Sequence, residues 1–273
     1  MRAVQAAPLK KALSILLTVV ASGFPCSSAA FSQKAAKAPQ EATKTAPHAY
    51  QLQFENKWAR VIRVHYGPRE TIAPHAHTKW PAAYVYLNDG GPVIFRHKDW
   101  EHPELTRPAT KAGSFRLSPT TAVNEVHEVE NPNDIPSDFL RVEFKTQPVG
   151  RDSLRGRFSR DVYPTGENLN LIQFENQQIR VTRLICIPHK TLTIATSSSE
   201  PALFIVLSVA QLKFDGRDNG SKQLLSLGRS IWLLPHQQKT FQNLGETPFE
   251  LLRFDLRTAP VAPKSRRAKD VRK

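Results

Sequence analysis

The sequence predicts an all-β protein built from two tandem domains, each a set of short antiparallel strands closed as a barrel or packed as a sandwich. Three observations carry that expectation. The chain repeats itself: FENKWARVIRV at 54–64 returns as FENQQIRVTRL at 174–184, and NPNDIPSDFLRVEFK at 131–145 returns as NLGETPFELLRFDLR at 243–257. Two copies in the same internal order mark a duplicated unit. Each copy consists of short runs rich in Val, Ile, Leu and aromatics between Gly, Pro, Asn and Asp, the pattern of strands and turns. No segment of either copy keeps a helical apolar period for long.

Taken in chain order, residues 1–30 read as a cleaved signal peptide. Arg2, Lys10 and Lys11 give a basic start, Ala12 to Phe24 an apolar run, and Ser28-Ala29-Ala30 a small-x-small cleavage pattern. The run is shorter than the roughly 20 residues a membrane span needs, so no transmembrane segment is expected and the mature chain is placed in the periplasm or secreted. Residues 31–49 read as a disordered linker. The first domain is expected over 50–147, where Val61, Arg63 and His65 alternate with Ile62, Val64 and Tyr66. The segment 148–169, polar and broken by Pro and Gly, reads as an inter-domain linker. The second domain follows over 170–257, with LFIVLSV at 203–209 matching AYVYL at 83–87 and RSIWLLP at 229–235 matching GSFRLSP at 113–119. Residues 258–273 read as a basic disordered tail.

Cys26 leaves with the signal, so Cys186 stands alone and no intramolecular disulfide supports the fold. The formal charge of +14 is misleading as a whole: 1–30 carries +3, 31–49 carries +2 and 258–273 carries +5, which leaves +4 for 50–257. A charge confined to solvated tails argues against a nucleic-acid partner.

With repeat, strands and spacing in view, the chain resembles the cupin superfamily, and its two copies resemble a bicupin. Gly67, His75, His77 and Gly90 match that family's first motif, whose Glu is replaced by Pro81 or Ala82; Gly113, Pro119, His127 and Asn131 match the second. The resemblance covers residues 52–257. It implies two jelly-roll barrels, or double-stranded β-helices, and a metal held in the barrel by motif histidines.

The chemistry is consistent with that implication. Residues i and i+2 of a strand share a face, so His75 and His77 project together, and His127 from a neighbouring strand completes a trio. Neutral imidazoles restrict the cofactor to a divalent transition metal (Zn, Fe, Mn, Cu, Ni or Co) without choosing among them. Glu125, two residues before His127, is a candidate ligand or acid/base partner, and Tyr84 and Tyr86 are further candidates for acid/base work. His97, Asp99 and His102 fall in a stretch that reads as a solvated loop.

Aligning the copies places His75 opposite Ala195, His77 opposite Ser197 and His127 opposite Lys239, so the second domain has lost all three ligand types. It is assigned to packing, with a homodimer interface as the further expectation. The function expected from these features is an exported bicupin whose first barrel binds or acts on a small polar organic molecule at a three-histidine metal site. The alternative is a non-catalytic binding or structural bicupin whose metal site has decayed. No nucleophile triad, phosphate loop or dinucleotide fingerprint is present.

Overall fold

A computed structural model describes residues 40–98, 101–119, 125–150, 153–215 and 222–262. The segment read as a signal peptide lies outside the described residues, as does 263–273. Among the described residues, no helix is long and apolar enough to cross a membrane.

The first copy supplies β1 (Tyr50–Glu55), β2 (Ala59–Tyr66), β3 (Thr71–Ala76), β4 (Ala82–Tyr86), β5 (Val93–His97), β6 (Glu104–Arg107), β7 (Phe115–Ser118), β8 (Val126–Glu130) and β9 (Ser137–Phe144). The second supplies β11 (Leu169–Glu175), β12 (Ile179–Cys186), β13 (Thr191–Ala195), β14 (Ala202–Val206), β15 (Ala210–Asp215), β16 (Lys222–Leu225), β17 (Ser230–Leu233), β18 (Gln238–Asn243) and β19 (Phe249–Leu256). Each copy folds as two sheets. In the first, β1-β2-β9-β4-β7-β10 faces β3-β8-β5-β6, where β10 is Gly156–Phe158; in the second, β11-β12-β19-β14-β17 faces β13-β18-β15-β16. All pairings between these strands are antiparallel, as the patterns predict.

The repeat is carried into detail. Both first strands bulge at the same place, between Leu52 and Phe54 and between Ile172 and Phe174. Asn131 and Asn243, both buried, clip the turn before the last strand: Asn131 Nδ2 donates to Gly67 O and Ile135 O, and Asn243 Nδ2 donates to Cys186 O and Thr247 O. Gly113 and Gly228 both sit at positive φ, +76° and +80°, in the turn leading into β7 and β17, where a side chain would be strained.

The central strands of the large sheets are buried on both faces, which explains their near-continuous apolar runs. Ile62, Val64, Tyr66 and Phe139 face the interior of the first barrel, while Phe204, Leu212, Phe241 and Leu251 fill the second. A third cluster lies between the barrels and joins Val61, Leu140, Val142 and Phe144 to Val181, Leu203, Ile205 and Phe254. Phe144 and Phe254 meet there at 5.6 Å. The fully buried Arg183 pairs with Glu250 and donates from Nη2 to Gly113 O of the first barrel at 2.7 Å, so a polar joint accompanies the apolar one. Each barrel has its own core, and the shared cluster joins the two.

Three boundary expectations change. Residues 40–49 are not a loose linker: Ala42, Ala46 and Ala49 are buried around a short helix, α1 (Ala42–Thr45), and Glu41 bridges to Ala76 and pairs with Arg60. Within 148–169, Leu154 is buried between the barrels and β10 extends the first barrel's sheet beside β7. Pro260 pairs with Thr146, so the start of the tail is fastened to the end of the first domain. Small and β-prone residues in polar surroundings give these segments few marks of order in sequence, and what orders them is contact with sheets far away in the chain.

Candidate metal centre

The first barrel brings the three predicted histidines together. His75 is the penultimate residue of β3, His77 follows the strand, and His127 lies on β8 directly opposite His75. Their Nε2 atoms converge: His75 to His77 is 3.2 Å and His77 to His127 is 3.1 Å, with all three side chains buried. The convergence depends on a bulge. Ile72 pairs with Val129 and the next pair is His75 with His127, so Ala73 and Pro74 together oppose one residue. Proline can occupy that position because a bulge frees the strand from a ladder donor. The carbonyl of Ala73 then accepts from His75 Nδ1 at 2.8 Å, which leaves the lone pair of His75 on Nε2. On the other side, Glu125 Oε1 accepts from His127 Nδ1 at 3.1 Å and fixes that imidazole in the same tautomer.

The same bulge corrects the alignment of the copies. In the second barrel Leu192 pairs with Phe241, Thr193 with Thr240 and Ile194 with Lys239, a regular ladder. The residues at the places of His75, His77 and His127 are therefore Ile194, Thr196 and Lys239, rather than Ala195, Ser197 and Lys239. Ile194 is buried in the apolar core.

Burial pushes the imidazoles toward the neutral form. Desolvation lowers His75 to about 4 against the help of its bond to Ala73; it lowers His77 well below the usual range, with the Arg141 guanidinium adding to the effect. His127 is lowered by burial even though Glu125 opposes the shift. Burial would raise the Glu125 carboxyl, but its bonds to His127 and His97 win and hold it well below the ordinary carboxylate range. Three neutral imidazoles and an ionised carboxylate behind one of them follow.

The other candidates divide. Glu125 does not point an oxygen at the three Nε2 atoms; it orients His127 from behind, as carboxylates behind metal-bound histidines do. Tyr84 lines the cavity beside the histidines, and its hydroxyl accepts from Arg141 Nη1 at 2.8 Å. Tyr86 does not line that cavity and packs against Phe139 and the Arg107 guanidinium. His97 overturns the loop reading: it is the last residue of β5, is 4% exposed, opposes His127 and lies 3.0 Å from Glu125 Oε1. Its signal was the apolar VIF run that precedes it. Asp99 lies outside the described residues.

Tyr50 was not foreseen at all. Its hydroxyl is 2.8 Å from His75 Nε2 and 2.8 Å from the Tyr66 hydroxyl. Desolvation raises both phenols, which stay protonated. Glu143, opposite Ala82 where the motif carboxylate is missing, is occupied by Thr78 Oγ1 and Arg141 Nε and is no part of the histidine group.

No protein-family model matches the sequence, and no curated protein matches it. Solved structures do. AerE from Microcystis aeruginosa is similar at 9% identity and a TM-score of 0.52, over 76% of this chain and 91% of that one. The vicilin from Solanum melongena is similar at 11% identity and a TM-score of 0.50, over 73% and 74%. A cupin 2 conserved barrel domain protein from Leptotrichia buccalis shares 13% identity at a TM-score of 0.46, over 76% and 88%. At such identities the likeness concerns the fold alone. With the duplicated sequence, the paired sheets of each copy and the likeness to AerE and the vicilin together, the chain is a two-barrel protein of the cupin fold.

Proposed function

We propose that the first barrel holds one divalent transition metal on the Nε2 atoms of His75, His77 and His127, and that a small organic molecule binds in the cavity beside it. The observation that carries the reading is the convergence of three buried, neutral Nε2 atoms, two of them with their lone pairs set by Ala73 O and Glu125. The donor set fits. Imidazoles bound at about 2.0–2.1 Å, with angles between octahedral and tetrahedral, stand about 2.8–3.4 Å apart, and the separations of 3.2 and 3.1 Å fall in that interval. When bound, such a metal supplies Lewis acidity to a coordinated molecule and keeps positions open for it.

The remaining residues would bind and orient. Glu125 holds the His127 ring, Arg141 keeps its charge balanced by Glu143, and Tyr50 places a neutral hydroxyl at the edge of the trio. Oxidation, isomerisation and hydrolysis are all within reach of such a centre. Elemental analysis of the full chain purified without chelators, followed by reconstitution with Zn, Fe, Mn, Cu, Ni and Co in turn, is expected to give one equivalent of metal. Uptake of none of the six removes the reading.

A second reading, a binding barrel without metal, is favoured by one observation. The Tyr50 hydroxyl can donate to His75 Nε2, and His77 can donate to His127, so hydrogen bonds alone can satisfy the trio. Export is proposed on the leader sequence alone, and N-terminal sequencing of the mature protein, expected to begin near Phe31, tests it.

A further inference from the structure

One cross-strand row of the first barrel's large sheet is crowded with cations. Arg157 of β10 stands opposite Arg116 of β7, Arg116 opposite Tyr84 of β4, and Tyr84 opposite Arg141 of β9. Directly opposed residues share a face, and all four line the cavity beside the histidines. Arg141 is balanced by Glu143 at 2.9 Å. Arg116 has no carboxylate partner among the described residues; its guanidinium lies 4.3 Å from the centre of the Tyr84 ring, and its Nε is buried without a hydrogen bond. Arg107 lines the cavity from β6, on the facing sheet. It is 7% exposed, donates Nη2 to Ser137 Oγ at 2.7 Å, and also has a buried Nε without a partner.

Like charges placed directly opposite destabilise a sheet, and a buried cation without a counter-ion is costly. The fold does not demand either. At the places of Arg116 and Tyr84 the second barrel has Ile231 and Phe204, and its Arg253, the counterpart of Arg141, is balanced by Asp255 at 2.7 Å. The uncompensated arginines belong to the barrel that has the cavity and the histidines.

We infer that this cavity binds the carboxylate of a small organic acid between Arg116 and Arg107, with Arg157 at its rim and the body of the molecule toward the histidine trio. The inference deepens the metal-centre reading and rests on it for what the acid is bound beside. Unpaired guanidinium nitrogens on opposite walls suit an anion with two oxygens, since charge-assisted bonds to carboxylates are the strong ones. The volume of about 120 Å³ holds roughly eight to twelve waters, which limits the acid to about that many non-hydrogen atoms. Tyr50, Tyr66, Phe95 and Phe139 also line the space, so an aromatic or other apolar body fits it.

Benzoate, with about nine non-hydrogen atoms, is the probe of that size, and calorimetric titration into the full chain, chelator-treated and metal-loaded, reads its affinity. Benzoate is expected to bind in both states, and its neutral counterpart benzamide at least about tenfold more weakly. Arg116→Gln and Arg107→Gln should each weaken benzoate about tenfold or more at unchanged metal content, with Arg116→Lys in between because it keeps charge but not the fork. Equal affinity for benzoate and benzamide overturns the inference, a comparison that needs no variant to fold. So does benzoate binding unaffected by both Gln variants, absence of benzoate binding at about 10 mM, or tighter binding of inorganic phosphate. Metal uptake without benzoate binding sinks this inference alone, whereas benzoate binding without metal uptake sinks the metal centre alone.

Discussion

The two barrels share a strand plan, a first-strand bulge, a buried Asn clip and a glycine turn, yet among the described residues only the first gathers three histidines. The difference is concentrated in a few places. An inserted residue bulges β3 and sets His75 against His127, whereas β13 runs straight and puts Ile194 into an apolar core. Tyr84 and Arg116 face a cavity where Phe204 and Ile231 pack. Duplication preserved what closes the barrel, and divergence acted on the residues that point inward. The second barrel then serves the first by covering its large sheet.

The largest effect should come from the trio itself. Replacing His75, His77 or His127 by Ala should each lower metal affinity by more than about 100-fold, beyond what loss of an outer-shell partner costs. His189→Ala and His236→Ala, in exposed turns of the second barrel, should leave it unchanged; elemental analysis after dialysis separates the cases. Metal loss on the second pair of changes would break the contrast between barrels.

Next in size is the joint. Phe254 belongs to the second copy but is fully buried in the shared cluster against Phe144. Phe254→Ala should cost about 3–5 kcal/mol, and both barrels should unfold in one calorimetric transition. Two separated transitions would show that the cores are independent.

The fold was legible in the sequence because it was written twice. FEN, the late Asn, Pro136 with Pro248 and Arg141 with Arg253 survive in both copies, and near-continuous apolar runs such as LFIV mark strands buried on two faces. The trio was legible because two of its members are two residues apart and the third falls on a motif. Tyr50 was not, since nothing in an isolated strand-initial Tyr marks its meeting with a histidine 25 residues away. His97 was hidden by the polar residues after it. The bulge was hidden because an alignment on FEN counts residues, whereas a strand pairs by face; one extra residue moved the counterpart of His75 from Ala195 to Ile194. The order of 40–49 and of β10 depends on distant partners that local composition cannot reveal.

The third effect is a pH dependence of the metal-free protein that originates in the first barrel's histidine cluster. A folded-state His75 near 4 against an ordinary value near 6.5 means that the unfolded chain binds its proton first as pH falls. Stability is therefore full above about pH 6.5 and is lost between there and about pH 4, on the order of 3 kcal/mol for this residue. His77 and His127, also lowered, act in the same direction, and so does Glu125, whose depressed carboxyl favours the folded state until it protonates. Denaturant titrations from pH 7.5 to 4 should show the loss, and His75→Phe should flatten part of it. A flat profile in the parent protein would mean that the trio is hydrated or already charged.

The smallest effect sharpens the comparison most, because it asks whether the support behind the trio is functional. Glu125 Oε1 is shared by His127 Nδ1 at 3.1 Å and His97 Nε2 at 3.0 Å, and at its place the second barrel has Gln237, whose Oε1 accepts from Leu234 N in a local turn. Glu125→Gln keeps size and a carbonyl oxygen that can accept from Nδ1, but removes the charge that makes the His127 ring a better donor to a cation. Metal affinity should fall about 10–100-fold, and the metal-free protein should melt lower at pH 7, because the ionised carboxylate favours the folded state. Glu125→Ala should lower affinity further, since it also frees the ring to turn. If Glu125→Gln left metal affinity unchanged, orientation alone would matter, and the carboxylate would be there for His97. If it unfolded the protein, the Glu125 charge would be a structural counter-ion for the histidine cluster, and the first barrel's interior would owe its stability to residues that the second barrel has replaced.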